Sequence, residues 1–113
     1  MSVRVKHHEV KLFREIGLLY LYNNTRQTEI IDWLNSLKLP EKGYVDFDLT
    51  EIKYARGFLT YMMEKYKAME LDCLERAEKA PTNYDASEYE YEASVRRDIH
   101  KKIAELLAVP NHV

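Results

Sequence analysis

Apolar residues recur along this chain at three- and four-residue steps, the spacing that places side chains on one face of a helix. They do so in four blocks. From about Val5 to Tyr22, Leu12, Phe13, Ile16, Leu19 and Tyr20 share a face. Gly17 lies inside that block, where glycine costs up to ~1 kcal/mol relative to alanine; close approach of a second helix would explain it. The string GLLYLY, residues 17–22, also fits a strand, so residues 16–22 read as helix or as strand. Asn23 and Asn24 close the block. From about Arg26 to Leu37, Ile30, Trp33, Leu34 and Leu37 form one stripe. Thr25 or Thr28 can cap it, because a threonine oxygen accepts an orphan N–H of the first turn. Pro40 lacks a donor and disfavours helix at Leu39, so the second helix stops before it.

The third block is the longest, from about Leu49 to Lys79. Ile52, Ala55, Leu59, Met62, Tyr66, Met69 and Cys73 alternate steps of three and four. That is a 3.5-residue seam of the kind found in long paired helices. Tyr54, Phe58, Tyr61 and Met63 widen its first half; Leu71 and Leu74 lie outside the seam in its second half. In the fourth block Tyr91, Val95, Ile99, Ile103 and Leu107 form an i+4 ladder with Leu106 beside it, ending at about Ala108 before Pro110. The stretch YDASEYEYE, 84–92, is read as the first turns of this helix: Asp85–Glu88 and Ser87–Glu90 both have capping-box spacing, and early acids suit the helix dipole.

Between the second and third blocks, residues 40–50 (PEKGYVDFDLT) alternate Val45, Phe47 and Leu49 with Asp46 and Asp48, the period of a strand. A lone short strand needs a partner, and none is evident, so the stretch is expected to be an extended connector packing Val45 and Phe47 on the helices. Asp48 and Glu51 have capping-box spacing for the third helix. The fold class is therefore all-α: a four-helix, bundle-like single domain over residues 1–113, with a third helix of about 30 residues.

Composition supports this class. Three Gly and three Pro leave little for turn-rich β architecture, and the charged residues, 32% of 113, are largely Glu, Lys and Arg. Asp72→Arg76, Glu75→Lys79, Glu92→Arg96 and Asp98→Lys102 place acids four residues before bases, as on solvated helix faces. The formal net charge of −2 provides no global basic field for nucleic acid. The single Cys73 excludes an intramolecular disulfide and suits a reducing compartment. Neither a signal peptide nor a ~20-residue apolar span is evident, so the expectation is a cytoplasmic protein that does not engage membranes.

Little in the sequence points to catalysis or cofactors. His7, His8 and Glu9 are adjacent, and adjacent helical residues point about 100° apart; helical metal sites use i, i+3 or i, i+4 spacing. No Gly-rich phosphate loop or Gly-x-Ser-x-Gly occurs. Cys73, on the apolar seam, is expected to behave as a small hydrophobe with a raised pKa. The carboxylates are expected on exposed faces with ordinary pKa values. Neither enzyme activity, metal nor cofactor is expected.

Protein binding is the leading functional expectation. A third helix of ~30 residues would be ~45 Å long, against ~35 Å for a globule of this chain length. Its far half, with Met69, Leu71, Cys73, Leu74 and Ala77, is then the expected homodimer interface. Tyr84, Glu88, Tyr89 and Glu90 form an acidic, tyrosine-bearing patch suited to a partner protein with a basic surface. The alternative is a DNA-binding regulator, since residues 18–37 resemble the first two helices of a helix-turn-helix domain. Its contacts would come from Lys53 and Arg56 on the third helix, or from Arg96, Arg97, Lys101 and Lys102 on the fourth. The long 40–50 connector and the apolar third helix oppose that reading.

Overall fold

A computed structural model describes residues 2–24, 28–52 and 55–108. The chain is mostly helical. Strand β1 (Ser2–Lys6) leads into α1 (His7–Asn24) and α2 (Thr28–Ser36); strand β2 (Tyr44–Asp48) and a 3₁₀ turn (Thr50–Ile52) precede α3 (Arg56–Lys79) and α4 (Asn83–Ala108). Residues 16–22 are helix. The Thr25 cap, Lys53 and Tyr54 fall outside the described residues.

Two expectations change. The 40–50 stretch is not a lone connector, because β2 pairs antiparallel with β1, Val3 opposite Phe47 and Val5 opposite Val45. The third helix has 24 residues instead of about 30. Its opening residues are taken up by the 3₁₀ turn, where Asp48 Oδ1 accepts the Thr50 N–H at 2.9 Å. At 1.5 Å per residue α3 is ~36 Å long, and α4 runs antiparallel beside it. The molecule measures 48 × 30 × 27 Å with a radius of gyration of 14.8 Å. It is thus longer than a sphere of its chain length, for which ~13 Å is expected.

The α1–α2 hairpin is inserted between the two strands. Its return to the sheet turns at Gly43, whose φ of 92° favours glycine, and the Gly43 carbonyl accepts the His7 N–H at 3.1 Å. Alternation then sorts the sheet: Val3, Val5 and Phe47 face inward and are buried, while Arg4, Asp46 and Tyr44 face out. Phe13 sits at the centre of the core. Its ring lies 4.6 Å from Phe47, 5.8 Å from Tyr66, 6.2 Å from Phe58 and 6.4 Å from Trp33, so one side chain joins α1, α2, α3 and β2. A fully buried side chain of this size contributes roughly 1.5–3 kcal/mol.

On α1 the buried face is Glu9, Val10, Phe13, Gly17 and Leu21, with Ile16 and Tyr20 at its margin. Leu19, expected on that face, is 65% exposed. Gly17 behaves as its position implied: a Cβ there would lie 3.0 Å from Leu34 Cδ1 and 3.1 Å from Phe58 Cζ, so α2 and α3 pack directly on the α1 backbone. The α3 seam is buried at Leu59, Met62, Tyr66 and Cys73, and the α4 ladder at Val95, Ile99 and Ile103.

Candidate interaction surface

Between α3 and α4 the chain reverses in three residues. Ala80 is extended (φ −67°, ψ 140°), as the residue before a proline favours, and its N–H reaches the Ala77 carbonyl. Thr82 then caps α4. Its Oγ1 accepts the Asp85 N–H at 3.1 Å and its carbonyl accepts the Ala86 N–H at 3.0 Å. The cap is thus Thr82, not Asp85 or Ser87, and α4 begins at Asn83, so YDASEYEYE lies wholly within its first turns. Asp85 occupies the third helical position, where a carboxylate meets the positive end of the dipole.

The far end of this hairpin differs from the rest of the molecule. From 74 to 92 no residue is buried. Leu74, Ala77, Ala86 and Tyr89 are half-buried where the two helices face each other, while Tyr84 is 73% exposed and Leu71, just before this stretch, 66%. Residues 74–92 carry six carboxylates and two bases, a net −4 on a chain whose total is −2. Of the residues expected at a dimer interface, Leu71 is on the outer surface, Leu74 and Ala77 line the helix–helix seam, Met69 packs against the core and Cys73 is interior. Tyr84, Glu88 and Glu90 are exposed and Tyr89 half-buried. Nearby, the Lys6 ammonium lies 4.6 Å from the centre of the Tyr91 ring, a cation–π contact tying α4 to β1.

The candidate nucleic-acid residues do not share one free face. The Arg56 guanidinium donates to the Leu107 carbonyl, a cation at the negative end of α4. Arg97 donates to Glu70 Oε2 at 2.5 Å, and His100 Nε2 lies 2.7 Å from the other Glu70 oxygen, clamping α3 to α4. Burial alone would raise the Glu70 carboxyl; the hydrogen bonds from His100 and Arg97, with their charges, outweigh it and hold it below the usual range. Lys101 is exposed, and Lys102 lies 3.9 Å from Glu105.

Arg96 corrects the reading of its face as solvated. Its side chain is only 17% exposed. It enters a polar cluster where α1, α3 and α4 meet, at the base of the hairpin end. Nη1 donates to Cys73 Sγ at 2.9 Å, Nη2 is 3.9 Å from Glu92, and Nε is 3.8 Å from Glu9 Oε2. Glu9 is 2% exposed, contrary to the expectation of carboxylates with ordinary pKa values. Burial pushes its carboxyl up, against the Arg96, His8 and Lys6 charges and with that of Glu92. Glu9 Oε2, the Tyr66 hydroxyl and Arg96 Nε have no hydrogen-bond partner among the described residues. Tyr66 is raised far above the usual phenol range by burial and by the Glu9 charge. Cys73 is raised by burial, as expected, although Arg96 opposes the shift. A signal for Glu9 was present in the sequence: it extends the buried ladder Phe13–Gly17–Leu21 by one i−4 step.

No protein-family model matches the chain, and neither does any curated protein or solved structure. Among the described residues no cluster of His, Cys, Asp and Glu is arranged to hold a metal ion, and no helix is long and apolar enough to cross a membrane.

Proposed function

We propose that this chain is a small helical adaptor or regulatory module that binds another protein through the far end of its α3–α4 hairpin. One observation carries the reading. Residues 74–92 form two helical segments with no buried residue, and they present Tyr84 and a net −4 charge away from the core, with exposed Leu71 just before them. Helices owe most of their stability in proteins to packing of an apolar face. A hairpin end with only a half-buried seam gains stability from a further surface laid against it.

The partner suited to this end is a protein with a basic surface. Exposed carboxylates steer such a partner in, and Tyr84 and Tyr89 provide amphipathic contact area at low entropic cost. Self-association is a second use of the same end, favoured by the 66% exposure of Leu71; a homodimer would join the Leu71 sides. A DNA-binding role has less support, because Arg56, Arg96 and Arg97 are engaged within the fold. Affinity capture with the wild-type chain and with a Tyr84→Ala/Glu88→Lys/Tyr89→Ala variant tests the reading. Recovery of a basic partner by the wild type alone is expected; identical recovery by both would remove the hairpin end from consideration. Light scattering after size exclusion, with and without Leu71→Glu, reads the self-association separately.

A further inference from the structure

Three buried polar atoms belong to the cluster where α1, α3 and α4 meet: Glu9 Oε2, the Tyr66 hydroxyl and Arg96 Nε. Each helix supplies one of them. The other polar atoms of Glu9 and Arg96 are engaged. Arg96 Nη1 donates to Cys73 Sγ at 2.9 Å and Nη2 lies 3.9 Å from Glu92, while Glu9 Oε1 lies 3.6 Å from His8 Nε2. Both side chains are thus tethered at their far atoms, and Arg96 Nε stays 3.8 Å from Glu9 Oε2. That gap is too long for a hydrogen bond and well within the span of two. The Tyr66 hydroxyl is within electrostatic reach of both groups, since the Glu9 charge pushes its pKa up and the Arg96 charge opposes the shift. Buried polar groups in native proteins nearly always have a partner.

We infer that one water molecule is bound inside the protein at this junction, held by Glu9, Tyr66 and Arg96 together. A buried water typically makes about three hydrogen bonds, to groups that the protein itself leaves unpaired. The donors and acceptors match one molecule. The Arg96 Nε–H and the Tyr66 O–H donate to the water oxygen, and a water O–H donates to Glu9 Oε2. Direct closure of Arg96 on Glu9 would satisfy two of the three atoms and leave the Tyr66 hydroxyl unpaired. A neutral molecule suits the site, because Arg96 already balances the Glu9 charge. The water joins α1, α3 and α4 at the level where the core ends, and so holds the start of α1 on the hairpin. This site is interior, apart from the 74–92 surface, and stands independently of the function proposed there.

A crystal structure of the full chain, at a resolution that shows ordered solvent, should place one water within about 3.2 Å of all three atoms. In solution, magnetic relaxation dispersion of the water oxygen counts long-lived internal waters. The count should fall by one in Glu9→Met/Arg96→Met, which removes two of the three partners; replacing both members of a buried ion pair by apolar residues of similar volume is commonly tolerated. Tyr66→Phe keeps the ring and two partners, so its crystal structure should retain the water on Glu9 and Arg96. If the double variant does not fold, the wild-type and Tyr66→Phe structures decide the matter. A direct Arg96 Nε–Glu9 hydrogen bond with the Tyr66 hydroxyl bonded to a protein group would overturn the inference. So would an unchanged count of long-lived waters in the folded double variant.

Discussion

Between Arg56 and Cys73, α3 contributes Phe58, Leu59, Met62, Tyr66 and Cys73 to a shared interior, whereas between Leu74 and Lys79 it contributes no buried residue. The same contrast divides α4, where Ala93 is buried and nothing before it is. The two halves have similar helix-forming composition, and capping is good at the exposed end. What separates them is cover. Cover from α1 reaches the level of Glu9, Cys73 and Arg96, and the β1–β2 sheet reaches one turn further through Lys6 on the Tyr91 ring. Helical sequence therefore accounts for both halves as helices, and only the elements packed on them decide which half has a core.

Truncation of the central ring should separate the halves most. Phe13→Ala removes the contact shared by four elements and should cost about 3–5 kcal/mol in chemical denaturation. A loss of under about 1 kcal/mol would mean that the aromatic cluster is not the seat of stability. Next in size is Gly17→Ala. Alanine gains up to ~1 kcal/mol of helix propensity, yet its methyl would press on Leu34 and Phe58; overpacking of this kind costs about 1–3 kcal/mol. Net destabilisation is expected, and a more stable protein would show that α1 can move away.

The two glutamates that face neighbouring arginines of α4 sharpen the comparison at its boundary. Glu9 near Arg96 has a raised carboxyl pKa, and Glu70, held by His100 and Arg97, a lowered one. A raised folded value contributes stability that is complete below the unfolded value, near 4.5, and is lost as pH rises through the folded one. A lowered folded value contributes stability present above 4.5 that is lost as pH falls through the folded one. Denaturation across pH should therefore show Glu9→Gln flattening the limb above 4.5 and Glu70→Gln flattening the acid limb. Matching profiles for the two variants would contradict the opposite environments assigned to them.

The smallest effect on stability is expected at the exposed end. Leu71→Glu should change the unfolding free energy by no more than about 0.5 kcal/mol, and any change it causes should appear in oligomeric state or partner capture. Amides of residues 74–92 should also exchange through openings of lower free energy than those of 58–73. Equal protection in both stretches would mean that the hairpin end already has cover in solution.

Much of this architecture was legible in the chain itself. The 3.5-residue seam of α3 and the i+4 ladder of α4 are local repeats, so Leu59, Met62, Tyr66, Val95, Ile99 and Ile103 could be placed inside from spacing alone. The end of α3 at about Lys79 and the helical nature of 84–92 followed from the same local chemistry. Gly17 announced a close approach, although not which helices make it. The apolar face of α1 was less legible: Leu12, Leu19 and Tyr20 obscured a buried ladder that begins with a carboxylate.

Tertiary structure alone decided three matters. Strand β1 forms because residues 44–48 return to it across some forty residues, and a five-residue edge has no periodic signal strong enough to announce such a partner. Arg96 and Arg97 are neighbours in sequence and both looked solvated; a turn of about 100° sends one toward Glu9 and Cys73 and the other to Glu70. The boundary between core and hairpin end lies at Cys73 and Ala93 because beyond them neither α1 nor the sheet buries a residue of the hairpin. Periodicity shows which face of a helix wants cover. Whether cover arrives depends on contacts between residues far apart in the chain, and no local pattern records them.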